Sequence, residues 1–373
     1  MSGARSLTVL QLAANRWWTG SADPVIRFVS GLSARGHRVL LGIQRGDRFE
    51  AKAREAGINP VAGLDLRTGG WPGPIARDFV RLRTLLSRER VDVVHVHHSH
   101  DHWLGRLATL GRDRRIPVVR SFHNMRAVHA GRAARWLYGG TAAVFAASRG
   151  IEARCRDVGI PAARVVWTPG IADTTRFVPD VDGRAIREEF ALGDAPVVVT
   201  VSRLAANRGH EALLAGFKVL RQQMPSARLL LVGKGETRAR LERIVDELGL
   251  AGAAIFTGYR DRDLPAVLAA ADCFALMGAG SDESCRAVLE AMAAARPVVA
   301  RRVGALPETV VDGETGVLLD DDRADDVAAA LARVLSDRQA AGVMGRAGRR
   351  RAEELFSAER AVSVVEDVYR TVL

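Results

Sequence analysis

Few residues in this chain combine type and spacing in a way that could do chemistry. Asp282 and Glu290 stand eight positions apart, Asp282 in a loop that also holds Gly278 and Gly280. Glu290 follows about two turns into an Ala/Leu/Met run with helical character. Ser284 is the expected N-cap of that helix. Backbone N–H groups at Ser284, Cys285 and Arg286 would then open it, and the positive end of a helix dipole suits an anion such as a diphosphate. Cys273–Met277 reads as a buried strand, so the whole stretch is a strand–loop–helix turn. If a nucleotide-sugar lay across the helix start, one acid would reach a sugar and the other a ribose. Arg203 and Arg208, five apart after the strand-like run Val197–Val201, add two cations able to straddle a diphosphate. Arginine does this bidentately, where lysine acts as a point charge.

Other chemistry-bearing residues point less far. Gly233-x-Gly235 is similar to a dinucleotide fingerprint, but Arg238 stands where its third glycine belongs, which weakens an oxidoreductase reading. The strand Val91–Val96 ends in His97, His98, His100 and His102, a cluster that invites a metal. Successive strand residues point to opposite faces, so the histidines are not expected all to converge, and no Cys or Glu completes a ligand set. No metal is expected. His123 follows the strand Pro117–Phe122, and on spacing alone it reads as a structural histidine. Three cysteines, Cys155, Cys273 and Cys285, are too few and too scattered for a disulfide framework or a zinc site.

These residues must be positioned by a large scaffold. A chain of 373 residues exceeds what one core supports, so two domains are expected. An apolar share of 48% is that of a globular protein. No apolar run is long enough to span a membrane, and the first residues lack a signal-peptide layout, so a cytoplasmic protein is expected. The charge is uneven. Residues 1–175 hold 27 Lys and Arg against 13 Asp and Glu, or +14, and the remainder carries −3. A basic first half suggests an anionic partner. Nucleic acid is not expected, because no helix-turn-helix, zinc-finger, RNP or KH pattern is present.

Strands and helices alternate through both halves, as in two Rossmann-like domains. Leu7–Leu12, Val25–Ala34 and Val39–Gly42 form a β–loop–α–β unit whose loop holds Trp17, Trp18, Gly20 and Ser21. Pro72–Ser87 reads as an amphipathic helix with arginines on its polar side. Arg126–Tyr138 reads as a helix carrying Arg132, Arg135, Trp136 and Tyr138. Ser148 is a helix cap, Asp180–Gly183 a linker, and Arg349–Val372 a helical end.

Asp282-x7-Glu290-Ala291-Met292-Ala293, with Arg296–Ala300, Gly304–Glu308 and Asp312–Gly316, resembles the E-x7-E element of the retaining glycosyltransferases of family 4, which have the GT-B fold. Ser202-Arg203-Leu204 through Arg208-Gly209 resembles that family's Gly-Arg-Leu-x3-Lys-Gly element. Pro169, Asp173 and Phe177 hold the register of its inter-domain segment, and Gly20-Ser21 stands at its Gly-Gly loop. The departures are Asp282 and Asp23 for Glu, Ser21 and Ser202 for Gly, Arg208 for Lys, Gly170 and Ile171 for Asn and Gly, and Ala295 and Ala305 where glycine is usual.

The resemblance implies an α/β protein of two parallel-sheet domains facing across a cleft. An acceptor domain would span 1–175, joined by a terminal helix at 356–373, and a donor domain 176–355. It implies a retaining, metal-independent transferase using a nucleotide-diphosphate sugar as co-substrate, without a cofactor. The acceptor would be a glycan or a lipid-linked glycan of cell-envelope polysaccharide or lipopolysaccharide synthesis. By the same resemblance Asp282 and His123 contact the transferred sugar and Glu290 the ribose. Arg203, Arg208, Gly20, Ser21 and the helix start at Ser284, Cys285 and Arg286 hold the diphosphate. Gly233 shapes the donor cleft, and Gly258 and Tyr259 lie near the base. A catalytically inactive nucleotide-sugar-binding or assembly subunit is the alternative that the departures leave open. The basic first half, with Arg16-Trp17-Trp18 and the aromatic residues beside Arg132 and Arg135, suggests peripheral binding at the inner face of an anionic membrane.

Overall fold

The computed structural model describes residues 5–15, 20–67, 72–279 and 285–373. Arg16, Trp17 and Trp18, and Gly280 with Asp282 and Ser284, lie outside the described residues. The chain divides into two compact units: Met1–Gly170 with Ala358–Leu373, and Ile171–Gly280 with Cys285–Ser357.

The first unit is a parallel six-stranded sheet of β1 (Thr8–Ala13), β2 (Arg38–Ile43), β3 (Val93–Val96), β4 (Val118–Phe122), β5 (Ala143–Ala146) and β6 (Val165–Trp167). Its spatial order is β2-β1-β3-β4-β5-β6. The strands are continuous apolar runs because helices cover both faces of the sheet. Those helices are α1 (Asp23–Ala34), α2 (Arg48–Glu55), α3 (Pro72–Arg88), α4 (Ser99–Thr109), α5 (Arg132–Gly139) and α6 (Arg149–Asp157). The order reverses between β1 and β3, and the loops leaving their carboxyl ends flank that switch point, where ligands of open α/β sheets bind.

The second unit repeats the plan with β7 (Val197–Val201), β8 (Arg228–Val232), β9 (Ala254–Gly258), β10 (Cys273–Leu276), β11 (Val298–Arg301) and β12 (Gly316–Leu319), ordered β12-β11-β10-β7-β8-β9. Its helices are α7 (Arg184–Glu189), α8 (His210–Gln223), α9 (Arg238–Glu247), α10 (Leu264–Ala270), α11 (Arg286–Ala293), α12 (Leu306–Thr309), α13 (Ala324–Ser336) and α14 (Arg338–Phe356). Here the switch point lies between β7 and β10, whose loops carry Arg203, Arg208 and the acidic stretch.

The last helix, α15 (Ala358–Val372), belongs to the first unit. It packs on α1, where Gly31 leaves the space that Val362 fills, and Arg35 is paired with Glu366 at 2.8 Å.

Three expectations are corrected. Arg126–Tyr138 is not one helix: a short turn at Met125–Ala127 is separated from α5 by Gly131, whose φ of 113° no right-handed helix accepts. Arg349–Val372 breaks at Ser357, which is extended and bridges to Ala172. Asp180–Gly183 falls inside the second unit, with Asp180 and Asp182 exposed and Gly183 so close to α10 that a Cβ would strike its backbone.

Candidate functional site

In the second unit two pairs of loops are locked together by glycines. Beyond β7 and β8, a Cβ on Gly233 would overlap the Ser202 carbonyl, and one on Gly235 the Leu204 carbonyl. The loops exchange backbone hydrogen bonds, Leu204 N–H to the Lys234 carbonyl at 3.2 Å and Thr237 N–H to the Leu204 carbonyl at 3.1 Å. The Gly-x-Gly spacing thus serves close packing of main chain on main chain. Gly258 closes the set by accepting from Gly233 N–H at 2.9 Å. Its own φ of 76° explains the residue type.

The second pair joins the loops beyond β7 and β10. Gly209, with φ 71°, lies against the Met277 and Gly278 backbone, and Gly278 lies against that of Arg208. This clamp sets the two cations in different states. Arg208 is buried, and its guanidinium donates to the Ala279 carbonyl at 2.9 Å. Arg203 is exposed and ion-paired with Glu236 at 2.9 Å. His210, at the start of α8, hydrogen-bonds Ser202 Oγ at 2.9 Å. Burial, and then the Arg208 charge, push that imidazole down to about 4, so it stays neutral.

Helix α11 begins one residue later than expected. Its N-cap is Cys285, not Ser284, and the cysteine adopts φ 50° with no side-chain cap bond. Glu290 is 7% exposed and faces Arg286 of its own helix at 3.4 Å. Ala295, where the resembled family has glycine, sits at φ 54°, a left-handed conformation in which glycine is favoured and alanine is strained. Tyr259 is 43% exposed, with Lys234 Nζ 5.6 Å from the centre of its ring. Lys234 and Glu236 were not anticipated, although both stand inside or beside the Gly-x-Gly turn.

In the first unit His97, His98, His100 and His102 do not all converge, in keeping with strand alternation; of the four, His97 joins a buried group with His95 and His123. His95 and His97 share one face of β3 and its extension, and His123 joins them from the end of β4. Their rings stack, His95 on His97 at 4.3 Å between centroids and His97 on His123 at 5.5 Å. His97 Nδ1 is 3.2 Å from His123 Nε2, and His97 Nε2 is 2.6 Å from Gln11 Oε1. Burial holds His95 and His97 well below the usual histidine range, and neighbouring cationic side chains deepen the shift. His98 instead becomes the N-cap of α4, and His100 lies in that helix's first turn. Asp101 sets the turn by accepting from the His97 and His98 N–H groups, each at 3.1 Å. Among the described residues, no three His, Cys, Asp or Glu side chains are arranged to hold a metal ion. Gly20 and Ser21 form the turn before α1, with Asn15 Nδ2 3.4 Å from Ser21 Oγ.

The aromatic surface differs from expectation. Tyr138 is buried, packed edge-on to Phe122, and its hydroxyl accepts from His129 N–H. Trp136 is exposed and stacks at 5.7 Å on Trp103 of α4, with Arg106 5.4 Å from its centre.

Two parallel sheets, each with a switch point flanked by glycine-clamped loops or a polar loop cluster, define a two-domain α/β protein of GT-B fold. The fold matches that of Anabaena Alr3699/HepE in complex with UDP and glucose, with TM-score 0.83 and 20% identity over 98% of this chain and 100% of that one. It also matches a glycosyltransferase from Rickettsia africae, with TM-score 0.87 and 18% identity over 99% of each chain. Family models for "Glycosyltransferase Family 4" and "Glycosyl transferases group 1" match residues 19–176 and 182–351.

A GDP-mannose-dependent alpha-(1-6)-phosphatidylinositol monomannoside mannosyltransferase of Mycobacterium tuberculosis is 33% identical over 81% of each chain. The Mycolicibacterium smegmatis protein of that description is 42% identical over 51% of this chain and 52% of its own length, so there the match spans about half of the relative. This chain belongs to the family 4 glycosyltransferases.

Proposed function

We propose that the chain is a retaining, metal-independent glycosyltransferase that moves mannose from GDP-mannose to a phosphoinositol-mannoside lipid of the cell envelope. The observation that carries the reading is the clamped loop pair beyond β7 and β10, with Arg208 at its base and Arg203 at its rim. Similarity to the mycobacterial mannosyltransferases supports the choice of donor and acceptor.

Charge growing on the departing diphosphate needs a fixed counter-field. Arg203, Arg208 and the backbone N–H groups at Cys285 and Arg286, with Ser284, supply one without a metal ion. Glu290 accepts hydrogen bonds from the ribose, while Gly258, Tyr259 and Lys234 border the base. Asp282 and His123 position the sugar, and Gly20 and Ser21 approach the phosphate. Same-face attack by the acceptor hydroxyl then keeps the anomeric configuration, with no protein nucleophile.

The first unit is proposed to dock on an anionic leaflet, with its acceptor in that leaflet. The exposed pair Trp103 and Trp136 lies among Arg106, Arg132 and Arg135, within a segment carrying +14. Aromatic rings favour the headgroup level, and each nearby cation adds about 1 kcal/mol on an anionic surface. No helix among the described residues is long and apolar enough to cross a membrane.

The donor is tested by a thermal-shift comparison of GDP-mannose with UDP-glucose, since a ligand of the folded state raises the melting temperature by mass action. A shift with GDP-mannose alone is expected. A shift with UDP-glucose alone would overturn the donor assignment.

A further inference from the structure

The clustered histidines of the first unit end in a residue that no motif singles out. Tyr369 of α15 is fully buried and its hydroxyl lies 3.1 Å from Gln11 Nε2 and 2.6 Å from His95 Nδ1. His95 Nε2 lies 2.8 Å from Ser121 Oγ. Together with the two bonds of His97, these contacts link six residues in series: His123, His97, Gln11, Tyr369, His95, Ser121.

The polarity of the chain follows from the Gln11 amide. Gln11 Oε1 only accepts, so His97 must carry its proton on Nε2. A neutral His97 then offers Nδ1 as an acceptor, and the partner nitrogen, His123 Nε2, must donate. On the other side, Gln11 Nε2 donates to the Tyr369 oxygen, whose own proton goes to His95 Nδ1. His95 is left with its proton on Nε2, donating to Ser121. Five hydrogen bonds therefore run in one direction, each satisfied by neutral rings, and in a dry interior such a chain polarises its members cooperatively. Phe28 closes it from above, stacked at 6.0 Å on His95 and 6.4 Å on His97.

We propose that Tyr369 on the C-terminal helix, acting through Gln11 and His97, fixes the tautomer of His123, with the proton on Nε2 and Nδ1 as its acceptor nitrogen. Tyr369, Gln11 and His97 are thus positioning residues, and helix α15 sets the hydrogen-bonding character of His123, a loop residue far from it in sequence. A sugar hydroxyl meeting His123 would donate to Nδ1. That last role rests on the transferase reading given above; the tautomer does not.

The test is nitrogen NMR of the full chain with 15N-labelled histidine rings, with His210 of the second unit as an internal control for folding. In the wild type His95, His97 and His123 should all appear as neutral Nε2–H tautomers at pH 7.5. Tyr369→Phe should turn His123 into a tautomer mixture and leave His210 unchanged. Gln11→Met, which cuts the chain nearer to His123, should do the same. In a transfer assay each variant should lose turnover about five-fold, the worth of roughly one hydrogen bond, at unchanged donor KM. The double variant should lose no more than Gln11→Met alone. An Nδ1–H tautomer or a charged ring at His123 in the wild type would overturn the proposal, as would unchanged His123 signals in both variants. Absence of transfer by the wild type, with the expected tautomers, would reject the transferase reading and keep the relay.

Discussion

Arg203 and Arg208 come from one short motif, yet the fold gives them different tasks, and substitutions should separate the two. Arg203 is exposed, and its pair with Glu236 is a surface pair screened by solvent. Arg203→Ala should leave stability within about 0.5 kcal/mol of wild type while weakening donor binding and turnover, by about 2–4 kcal/mol of transition-state stabilisation if both terms combine. Arg208 is buried against the Ala279 carbonyl, so Arg208→Ala should lower both the unfolding midpoint and turnover. Arg208→Lys should be milder in both. Denaturant titration alongside steady-state kinetics reads both effects. For Glu290→Gln the expected result is a higher donor KM with little change in kcat, because a ribose contact exists in ground and transition states alike. A fall in kcat at constant KM would move Glu290 to the reacting centre. Residue types and spacing showed the acids and the cations. The i,i+4 spacing of Arg286 and Glu290 also allowed their pairing, once the stretch is helical.

At the scale of elements, the glycines divide into those that need space and those that need a dihedral. Gly278 has an ordinary φ, but a Cβ there would meet the Arg208 backbone. Gly258 has φ 76° and open space around it. Gly278→Ala should therefore push the two loops apart and weaken donor binding tenfold or more, an effect of roughly 1.4 kcal/mol or above. Gly258→Ala should cost about 1–2 kcal/mol of stability by backbone strain and leave donor affinity nearly intact. Calorimetric titration with the donor, paired with denaturant melts, distinguishes them.

Most strands were legible, because a parallel strand buried on both faces must be a continuous apolar run. The breaks were not. Ser357 interrupts a helical pattern without a Gly or Pro signal. The cap at Cys285 is set by a left-handed backbone that no capping side chain announces. Likewise Gln11 and Tyr369 are polar atoms inside apolar patterns. Their meaning depends on strand register, which places Gln11 opposite His95.

For the whole molecule, two responses are expected. His95, His97, His98 and His102 are all held below their ordinary range by burial. Below about pH 6.5 the unfolded chain binds protons that the folded chain refuses, so stability falls as pH falls. Asp101, raised by burial to about 6, opposes this weakly, because the folded state takes up its proton first. Opening free energies of β3 and β4, taken from amide exchange after correction for the pH-dependent intrinsic rate, should fall from pH 7 to pH 5, by up to about 1.4 kcal/mol per histidine per pH unit once each is fully linked. Opening free energies independent of pH would remove the neutral-histidine account.

Flotation with vesicles should show binding that rises with anionic lipid and falls with salt, and Trp136→Ala with Trp103→Ala should reduce it. Binding indifferent to lipid charge would remove the membrane docking and leave transfer untouched. The most direct test of the central claim is a transfer assay with the proposed sugar nucleotide and lipid acceptor in the presence of EDTA, with the product's anomeric configuration read by NMR. The account predicts a new glycolipid with the donor's configuration retained and with undiminished yield in EDTA. Donor binding without any transfer would contradict it and point to an inactive nucleotide-sugar-binding subunit.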